Sequence, residues 1–205
     1  MLRDNTRLQR ILREALVLGM LIIGIMAARS TLADHYYVPS GSMEYTLMSG
    51  DRVFVDKRAY GFRIPFSNIE LTRGQAVQRG DIVIFDSPRD GKRLIKRIVA
   101  IGGDEVAIED GYLAINGERL QSSTNPEVEI MGSKEIRLNL LHGGGPPLAT
   151  TISDGMVLAI GDHRGNSVDG RVFGAISEGE IYGRAVAVYY RKEPAGESGF
   201  AWREL

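Results

Sequence analysis

Short apolar segments bounded by turn residues fill most of the chain after residue 34, and they constrain its fold more than any other feature. Most are rich in β-branched residues and end at Gly, Asp or Asn, a pattern typical of strands joined by tight turns. No strong helical period follows residue 34. The sequence therefore predicts a mainly β domain with a coiled, barrel-like antiparallel sheet. The predicted strands are residues 36–38, 52–56, 82–85, 93–101, 105–108, 112–115, 135–141, 156–160 and 184–190.

The N-terminal segment has a different character. Four arginines within the first 13 residues precede an uncharged apolar run, residues 15–28, and Arg29 follows it. The run is apolar on all sides, so a core helix with one apolar stripe is the weakest of three interpretations. The other two remain open from the residues alone: a signal peptide cleaved near residues 31–33, and an uncleaved membrane anchor. In both, the arginines stay inside the cell and everything from about Asp34 lies outside the cytoplasm.

The length of the apolar run matters for the anchor interpretation. Its 14 residues rise about 21 Å as a helix, which is short of the roughly 30 Å hydrocarbon core of a bilayer. Flanking apolar residues such as Ile11, Leu12 and Leu32 would have to extend the span. The side chain of Arg29 would have to reach back to the interface.

Composition excludes several classes of site. The chain has 25 basic and 26 acidic residues, a formal net charge of −1, so it lacks the basic excess that a nucleic-acid partner requires. Cysteine is absent, which excludes disulfides, cysteine–zinc sites and thiol catalysis. The three histidines, His35, His142 and His163, do not have the spacing of metal ligands. We therefore expect no metal, no cofactor and no nucleic-acid partner.

Two short segments carry the candidate chemistry. Ser40 and Ser42 flank Gly41 in a predicted tight turn, and Lys96 lies inside the apolar strand at residues 93–101. Side chains alternate along a strand, so Lys96 is the only charged residue on its face. Burial among apolar neighbours lowers the pKa of a lysine, and a neutral lysine can accept a proton from a serine. The alternatives are a lysine that reaches water and a turn that has no chemical role.

A Ser-His-Asp triad is the competing arrangement. His163 and Asp169 lie in residues 161–171, a segment dense in Gly, Asn, Ser and Asp. That composition is equally typical of a hydrogen-bonded structural loop beneath an active site. We therefore rank Lys96 above His163 as the base.

Three segments, in this order, resemble the boxes of one family, the bacterial type I signal peptidases or leader peptidases. Residues 39–47, Pro-Ser-Gly-Ser-Met-Glu-Tyr-Thr-Leu, resemble its nucleophile box. Residues 95–99, Ile-Lys-Arg-Ile-Val, resemble its lysine box, and residues 161–174 resemble its third box. The resemblance covers about residues 10–190.

The resemblance implies a role for each matching residue. Ser42 would be the nucleophile and Lys96 the general base. The Ser40 hydroxyl and the Ser42 backbone N–H would form the oxyanion hole, and Ser167 would orient the Lys96 amine. Ion pairs and hydrogen bonds beneath the site would come from Asp162, Arg164, Asp169 and Arg171.

The resemblance also implies how a substrate binds. The substrate would be an added β-strand whose Ala-x-Ala residues enter small apolar pockets. These pockets would be lined by Tyr36, Val38, Pro39, Met43, Leu47 and Ile95.

Four positions depart from the family pattern. The family usually has Pro where this chain has Tyr45, Asn where it has His163, Asp where it has Gly165 and Ser where it has Gly170. None of these changes removes a catalytic group. Gly165 loses a carboxylate that would support the site, and Tyr45 changes the rim of the substrate pocket.

The implied function is a membrane-anchored serine endopeptidase, acting through an acyl-enzyme. It would remove N-terminal signal peptides from exported preproteins after an Ala-x-Ala-type site. Expected partners are preprotein signal peptides, membrane lipid and the secretion translocon. One alternative is a specialised maturation peptidase of the same superfamily, acting on a pilin or conjugation-system subunit. The other is a catalytically silent envelope binding module.

The resemblance favours the uncleaved anchor and a division of the chain into four parts. Residues 1–33 would be a cytoplasmic stub and single transmembrane helix. Residues 34–116 and 155–192 would form the catalytic β core on the periplasmic or extracytoplasmic side of the inner (plasma) membrane. Residues 117–154 would be a small inserted lobe and residues 193–205 a C-terminal tail.

Overall fold

The alternating apolar segments form antiparallel sheets in a computed structural model that describes residues 2–31, 33–63, 70–191 and 199–205. The helices are α1 (Leu2–Thr31) and α2 (Gly170–Phe173), with 3-10 turns at Gly41–Met43, Arg164–Asn166 and Glu178–Glu180. The strands are β1 (Ala33–Tyr37), β2 (Arg52–Asp56), β3 (Gly61–Arg63), β4 (Glu70–Arg73), β5 (Ile82–Asp86), β6 (Arg93–Ile101), β7 (Glu105–Glu109), β8 (Tyr112–Ile115), β9 (Glu118–Arg119), β10 (Val128–Met131), β11 (Lys134–Arg137), β12 (Leu148–Thr151), β13 (Met156–Ile160), β14 (Ile176–Ser177), β15 (Ile181–Arg191) and β16 (Gly199–Glu204).

The largest sheet positions the candidate site. Its strand order is β1-β2-β15-β5-β6-β13-β14, and β16 pairs with β15. Strand β6 pairs with β5 over residues 93–97 and with β13 over residues 97–101. On the β13 side, the first half of β6 therefore has an open edge. Strand β1, at one end of the sheet order, pairs with β2 alone and has an open edge as well.

A second sheet has the order β12-β7-β8-β9, and β10 with β11 and β3 with β4 form two-stranded hairpins. The turns between β7, β8 and β9 contain Asp110-Gly111 and Asn116-Gly117. All four residues have positive φ, as a type I′ hairpin turn requires. This sheet joins strands from the predicted catalytic core, β7 and β8, to strands from the predicted inserted lobe, β9 and β12.

The predicted mainly β class with antiparallel sheets is confirmed, with some changes in strand limits. The strand predicted at residues 135–141 ends at Arg137 in the structure. Beyond it the Leu138 N–H donates to the Glu127 carbonyl and the Asn139 N–H donates to the Asp162 carbonyl. The chain thus leaves the β10–β11 hairpin to contact the segment beneath the candidate site.

Buried apolar residues form three clusters. One lies between the second sheet and the ends of β6 and β13 and includes Ile108, Leu113 and Leu158. A second lies beneath β1, β2, β5 and β6, and the third lies on the opposite face of β5 and β6 around Phe85 and Ile98. Strand β6 contributes to all three clusters, so its backbone is fixed from both faces.

Helix α1 precedes the β domain. Its apolar side chains from Ile11 to Met26 are between 48% and 64% exposed. In the described residues, no helix combines the length and the hydrophobicity that a membrane span needs. Leu32 and residues 193–198 of the predicted tail lie outside the described residues, as does the side chain of Arg29. Strand β16, at the end of the predicted tail, pairs with β15.

Candidate active site

Ser42 lies in the 3-10 turn Gly41–Met43, in the connection from β1 to β2. The Val38 N–H donates to the Asp51 carbonyl and the Gly50 N–H donates to the Val38 carbonyl, so the two ends of this connection are tied together. Met43 is fully buried beneath the turn. Ser42 is therefore held on an anchored loop and is only 7% exposed.

Lys96 meets Ser42 from the neighbouring strand. Its ammonium Nζ lies 2.6 Å from the Ser42 Oγ, and Lys96 is 3% exposed. The Ser40 hydroxyl lies 3.4 Å from the Ser42 Oγ on the same turn. The structure thus brings together the predicted nucleophile, the predicted base and one predicted oxyanion donor.

The environment of Lys96 favours its neutral form. Burial lowers the pKa of Lys96 from 10.5 to about 8, although the carboxylates of Asp169 and Asp162 partly oppose this effect. The charge of Arg171 lowers it further. A buried lysine with a pKa near 8 has an accessible neutral form close to physiological pH and can act as a base.

The segment after β13 supplies the support beneath Lys96. The Asp162 carboxylate accepts two hydrogen bonds from Arg97, at 2.9 and 2.7 Å, and one from the Thr46 hydroxyl, at 2.5 Å. The Asp169 carboxylate accepts from Arg171 and from the Gly161 N–H. Burial raises the pKa of Asp169, but the bonds and charge of Arg171 outweigh this and hold it below its usual value.

Arg164 connects this segment to the β10–β11 hairpin. Its guanidinium donates to both oxygens of Glu129, at 3.0 and 2.5 Å, and to the Gly111 carbonyl. Arg164 is 1% exposed and Glu129 is fully buried. The four predicted support residues are thus in buried ion pairs, two of them with partners, Arg97 and Glu129, that the sequence did not identify.

Ser167 is placed differently from its expected role. Its hydroxyl is buried and makes no hydrogen bond within the described part of the chain. Its Oγ packs against Gly161, where a Cβ would overlap it. The expected hydrogen bond from Ser167 to the Lys96 amine is not formed in this structure, and its role stays a prediction.

The predicted substrate-contacting residues lie beside Ser42. Val38, Met43, Leu47 and Ile95 are at most 3% exposed and belong to one apolar cluster; Tyr36 packs against that cluster, and Pro39 is exposed. The side chains of Val38, Met43, Leu47 and Ile95, called the apolar wall below, include the residue that follows Ser42 and the residue that precedes Lys96.

A side-chain hydrogen bond crosses the gap between the two open strand edges, β1 and the first half of β6. The Tyr36 hydroxyl of β1 donates to the Arg93 carbonyl of β6 at 2.9 Å. In an antiparallel pair, alternate residues direct their backbone groups to opposite edges. Because the Arg93 carbonyl faces the gap, the backbone groups of Ile95 face it too, one residue before Lys96.

The alternative triad is not assembled. The Asp169 carboxylate is bonded to Arg171 and not to His163. The ring nitrogens of His163 face the Gly41 carbonyl and the ring of His142. In the residues that the structure describes, no group of three or more acidic or histidine side chains could hold a metal ion.

Three departures from the family pattern have structural explanations. A Cβ at Gly165 would overlap the carbonyl of His142, so the usual aspartate has no room here without a backbone shift. A Cβ at Gly170 would press on the Leu158 side chain. The Tyr45 ring lies 4.3 Å beneath the guanidinium of Arg137, a cation–π contact with the β10–β11 hairpin.

Sequence reasoning missed Arg97, Glu129 and the contacts of His163. Arg97 was detectable as a second charge in an apolar strand, directly after Lys96. Glu129 lies between Val128 and Ile130 in a short segment where no strand was predicted, and its partner is 35 residues away. Such contacts depend on the tertiary structure.

Comparisons with known proteins show what this chain is similar to. Residues 11–190 match the family model described as signal peptidase, peptidase S26. The chain is 30% identical to "Probable signal peptidase I-1" of Synechocystis sp., with 92% of this chain and 84% of the relative covered. It is also 30% identical to signal peptidase I of Pseudomonas fluorescens, with 80% and 67% covered. A crystal structure of a signal peptidase I from Enterococcus faecalis V583 matches with 26% identity and a TM-score of 0.40, covering 54% of this chain and 97% of that one.

Proposed function

Since the chain belongs to the signal peptidase family, peptidase S26, and is a serine protease, we propose that it removes N-terminal signal peptides from exported preproteins with Ser42 as nucleophile and Lys96 as general base. The observation that carries this proposal is the buried contact of 2.6 Å between the Lys96 Nζ and the Ser42 Oγ. The lowered pKa of Lys96 gives that contact its chemical meaning, because only a neutral amine can take the serine proton.

The proposed mechanism assigns a group to each chemical step. Neutral Lys96 accepts the Ser42 proton as the Oγ attacks the scissile carbonyl carbon. The Ser42 N–H and the Ser40 hydroxyl stabilise the resulting oxyanion. Collapse of the tetrahedral species breaks the peptide bond, and the Lys96 ammonium gives its proton to the departing amine. Water then attacks the ester, again with Lys96 as base, and releases the signal peptide and free Ser42.

The gap between β1 and β6 supports binding of the substrate as an added strand. Strand addition requires unpaired backbone groups along an edge, and both strands offer them. A peptide in this gap would pass the apolar wall of Val38, Met43 and Ile95 before it reaches Ser42. Because the side chains of this wall are apolar, small apolar substrate side chains such as alanine can pack against them.

The decisive experiment is cleavage of a preprotein with an Ala-x-Ala site by the detergent-solubilised full chain, read out by product mass. We expect Ser42→Ala and Lys96→Met each to lower kcat by at least about 1,000-fold, since each removes a group that acts in the transition state. Ser153→Ala and Lys92→Met are matched controls on the exposed surface and should keep wild-type kcat.

The outcomes separate the competing functions. Cleavage after the final alanine by wild type and the controls alone supports the proposal. Full activity of the Ser42→Ala variant contradicts it. A folded wild type that cleaves only a pilin or conjugation-system precursor would identify a specialised peptidase. If folded wild type cleaves neither the Ala-x-Ala preprotein nor a pilin or conjugation-system precursor, the result would identify a silent binding module.

The location of the enzyme is a second part of the proposal. Helix α1 would hold the β domain at the outer face of the plasma membrane, with its arginine-rich start in the cytoplasm. The exposed apolar side chains from Ile11 to Met26 support this, because water does not favour such a surface.

A further inference from the structure

His163 contacts the Ser42 turn at three points. Its backbone N–H donates to the Ser42 carbonyl at 3.1 Å, and its ring Nδ1 lies 3.1 Å from the Gly41 carbonyl oxygen. The same Nδ1 lies 3.4 Å from the Glu44 carboxylate. His163 is 2% exposed, so these contacts are shielded from water. None of them involves the Ser42 hydroxyl.

The partners of the ring determine which nitrogen carries the proton. The Gly41 carbonyl can only accept, so the Nδ1 of His163 must be the donor. In neutral His163 the Nε2 is then an acceptor. It lies 3.0 Å from the Nδ1 of His142, which must therefore donate to it. The donors run in one direction, from His142 at the surface through His163 to the Gly41 carbonyl.

The Gly41 carbonyl belongs to the same peptide unit as the Ser42 N–H. Peptide units are planar, so a bond that fixes the direction of the carbonyl also fixes the direction of the N–H at the other end. The Gly41 oxygen accepts from the Glu44 N–H, at 3.1 Å, and from His163. The ring of His163 is the one contact to this oxygen, in the described residues, that comes from outside the turn itself.

We infer that His163 is a positioning residue that holds the Gly41–Ser42 peptide unit with its N–H directed at the oxyanion of the tetrahedral intermediate. The inference rests on the proposed function, because that function assigns the Ser42 N–H to the oxyanion. It gives a role to a position where the family usually has asparagine. A hydrogen bond to the carbonyl also polarises the peptide unit and strengthens the N–H as a donor.

This role differs from that of a base and from that of a charge acting on Lys96. Both ring nitrogens of His163 have partners other than Ser42. The groups that shift the pKa of Lys96 by their charge are Asp169, Asp162 and Arg171. Loss of the His163 ring should therefore affect stabilisation of the transition state and leave the titration of Lys96 in place.

The kinetic test compares two variants in the same preprotein assay. His163→Leu keeps a similar volume but has no donor, and we expect kcat to fall roughly 10- to 100-fold with KM within about threefold of wild type. His163→Asn retains an N–H donor, and we expect its kcat to be at least about tenfold higher than that of His163→Leu. A kcat of His163→Leu within about twofold of wild type would overturn the inference, as would equal losses in the two variants.

A second readout does not depend on cleavage. Nitrogen-15 NMR of the histidine rings in the solubilised full chain should show the His163 ring, identified by the loss of its signals in His163→Asn, protonated at Nδ1 and not at Nε2. Protonation of this ring at Nε2 alone would overturn the inference whatever the activity. If the wild type fails to cleave any preprotein, the proposed function fails, and the ring tautomer still decides whether His163 holds the Gly41 carbonyl.

Discussion

At the scale of single residues, Lys96 is the least ordinary group in the protein. Lysine is seldom fully buried, since desolvation of an ammonium is costly. Here it is 3% exposed, and it lies close to Asp169 and Asp162 without an ion pair of its own in the described residues. Both carboxylates are instead held by arginines. They stabilise the ammonium too weakly to restore an ordinary pKa.

The rate of cleavage should follow the titration of Lys96. With a pKa of about 8, roughly a tenth of Lys96 is neutral at pH 7 and about half at pH 8. We expect kcat/KM to rise about tenfold per pH unit below pH 7 and to level off above about pH 9. The measurement is a pH–rate profile on a preprotein with no titratable group near its cleavage site.

A different pH–rate profile would contradict the assignment of Lys96 as the base. A profile that turns over near pH 6.5, the ordinary pKa of histidine, would indicate His163 as the titrating base instead. Stability curves at each pH, measured on the same samples, would separate a change in catalysis from unfolding.

The candidate catalytic pair was predictable from single residues, but much of its support was not. Strand alternation identified Lys96 as an isolated charge among apolar neighbours. The Ser-Gly-Ser turn offered two hydroxyls, and the family resemblance selected Ser42. Arg97 and Glu129 acquire their partners through contacts between segments 65 and 35 residues apart. No local pattern encodes such distances. The ring contacts of His163 likewise exist only after the Ser42 turn packs against it.

At the scale of elements, the β10–β11 hairpin is joined to the active-site segment by one buried ion pair. Glu129 in β10 binds Arg164 with both carboxylate oxygens and also accepts from the Leu113 N–H in β8. A buried ion pair of this kind is costly to break, because the remaining charge has no water to solvate it. The pair therefore couples three elements.

Replacement of Glu129 by glutamine should destabilise the fold. We expect the free energy of unfolding to fall by about 3 kcal/mol, since Arg164 would be left buried without a counter-charge. The measurement is urea unfolding at constant pH. Glu127→Gln is the control, because it removes the charge from an exposed ion pair in the same region. Glu127 lies 3.8 Å from Arg137, and both side chains are more than half exposed. It should change stability by no more than about 0.5 kcal/mol. Equal effects of the two substitutions would contradict the coupling.

Strand prediction succeeded where burial creates a strong pattern. The limits of β2, β6, β8 and β13 match the prediction at both ends, because each is an apolar run that ends at turn residues or charges. Strands β3, β4, β9, β10, β12, β14 and β16 were not predicted. They are short or mostly exposed, so their residues lack a clear apolar alternation, and pairing with a neighbouring strand rather than burial defines them.

At the scale of the whole molecule, α1 and the β domain differ in how many of their apolar side chains are exposed. Apart from α1, most large apolar side chains of the described residues are buried in three clusters. In α1, Leu18 is 57% exposed and Ile22 is 48% exposed. This contrast suits a chain whose two parts meet different solvents.

Membrane attachment through α1 should be sensitive to charge in its apolar run. We expect the full chain to remain with membranes after a carbonate wash at high pH, and Leu18→Asp/Ile22→Asp to shift it to the soluble fraction. Each carboxylate at the centre of a span costs about 3 kcal/mol. Gln9→Asp, outside the run, should leave the wild-type distribution unchanged. Release of the wild type by the same wash would contradict the proposed anchoring.

Arg97, Arg164 and Arg171, beneath the site, share a bonding pattern that limits how the sequence around them can change in evolution. Beyond their carboxylate partners they donate to main-chain oxygens: Arg164 to Gly111, Arg171 to Gly144 and to Arg164, and Arg97 to Gly80. A main-chain oxygen is present whatever residue carries it. Residue identity therefore matters at these positions through the backbone and not through the bond itself: Gly80 and Gly111 have positive φ, and a Cβ at Gly111 or Gly144 would overlap neighbouring backbone. Substitution of these glycines would move the main-chain oxygens and with them the scaffold of the site.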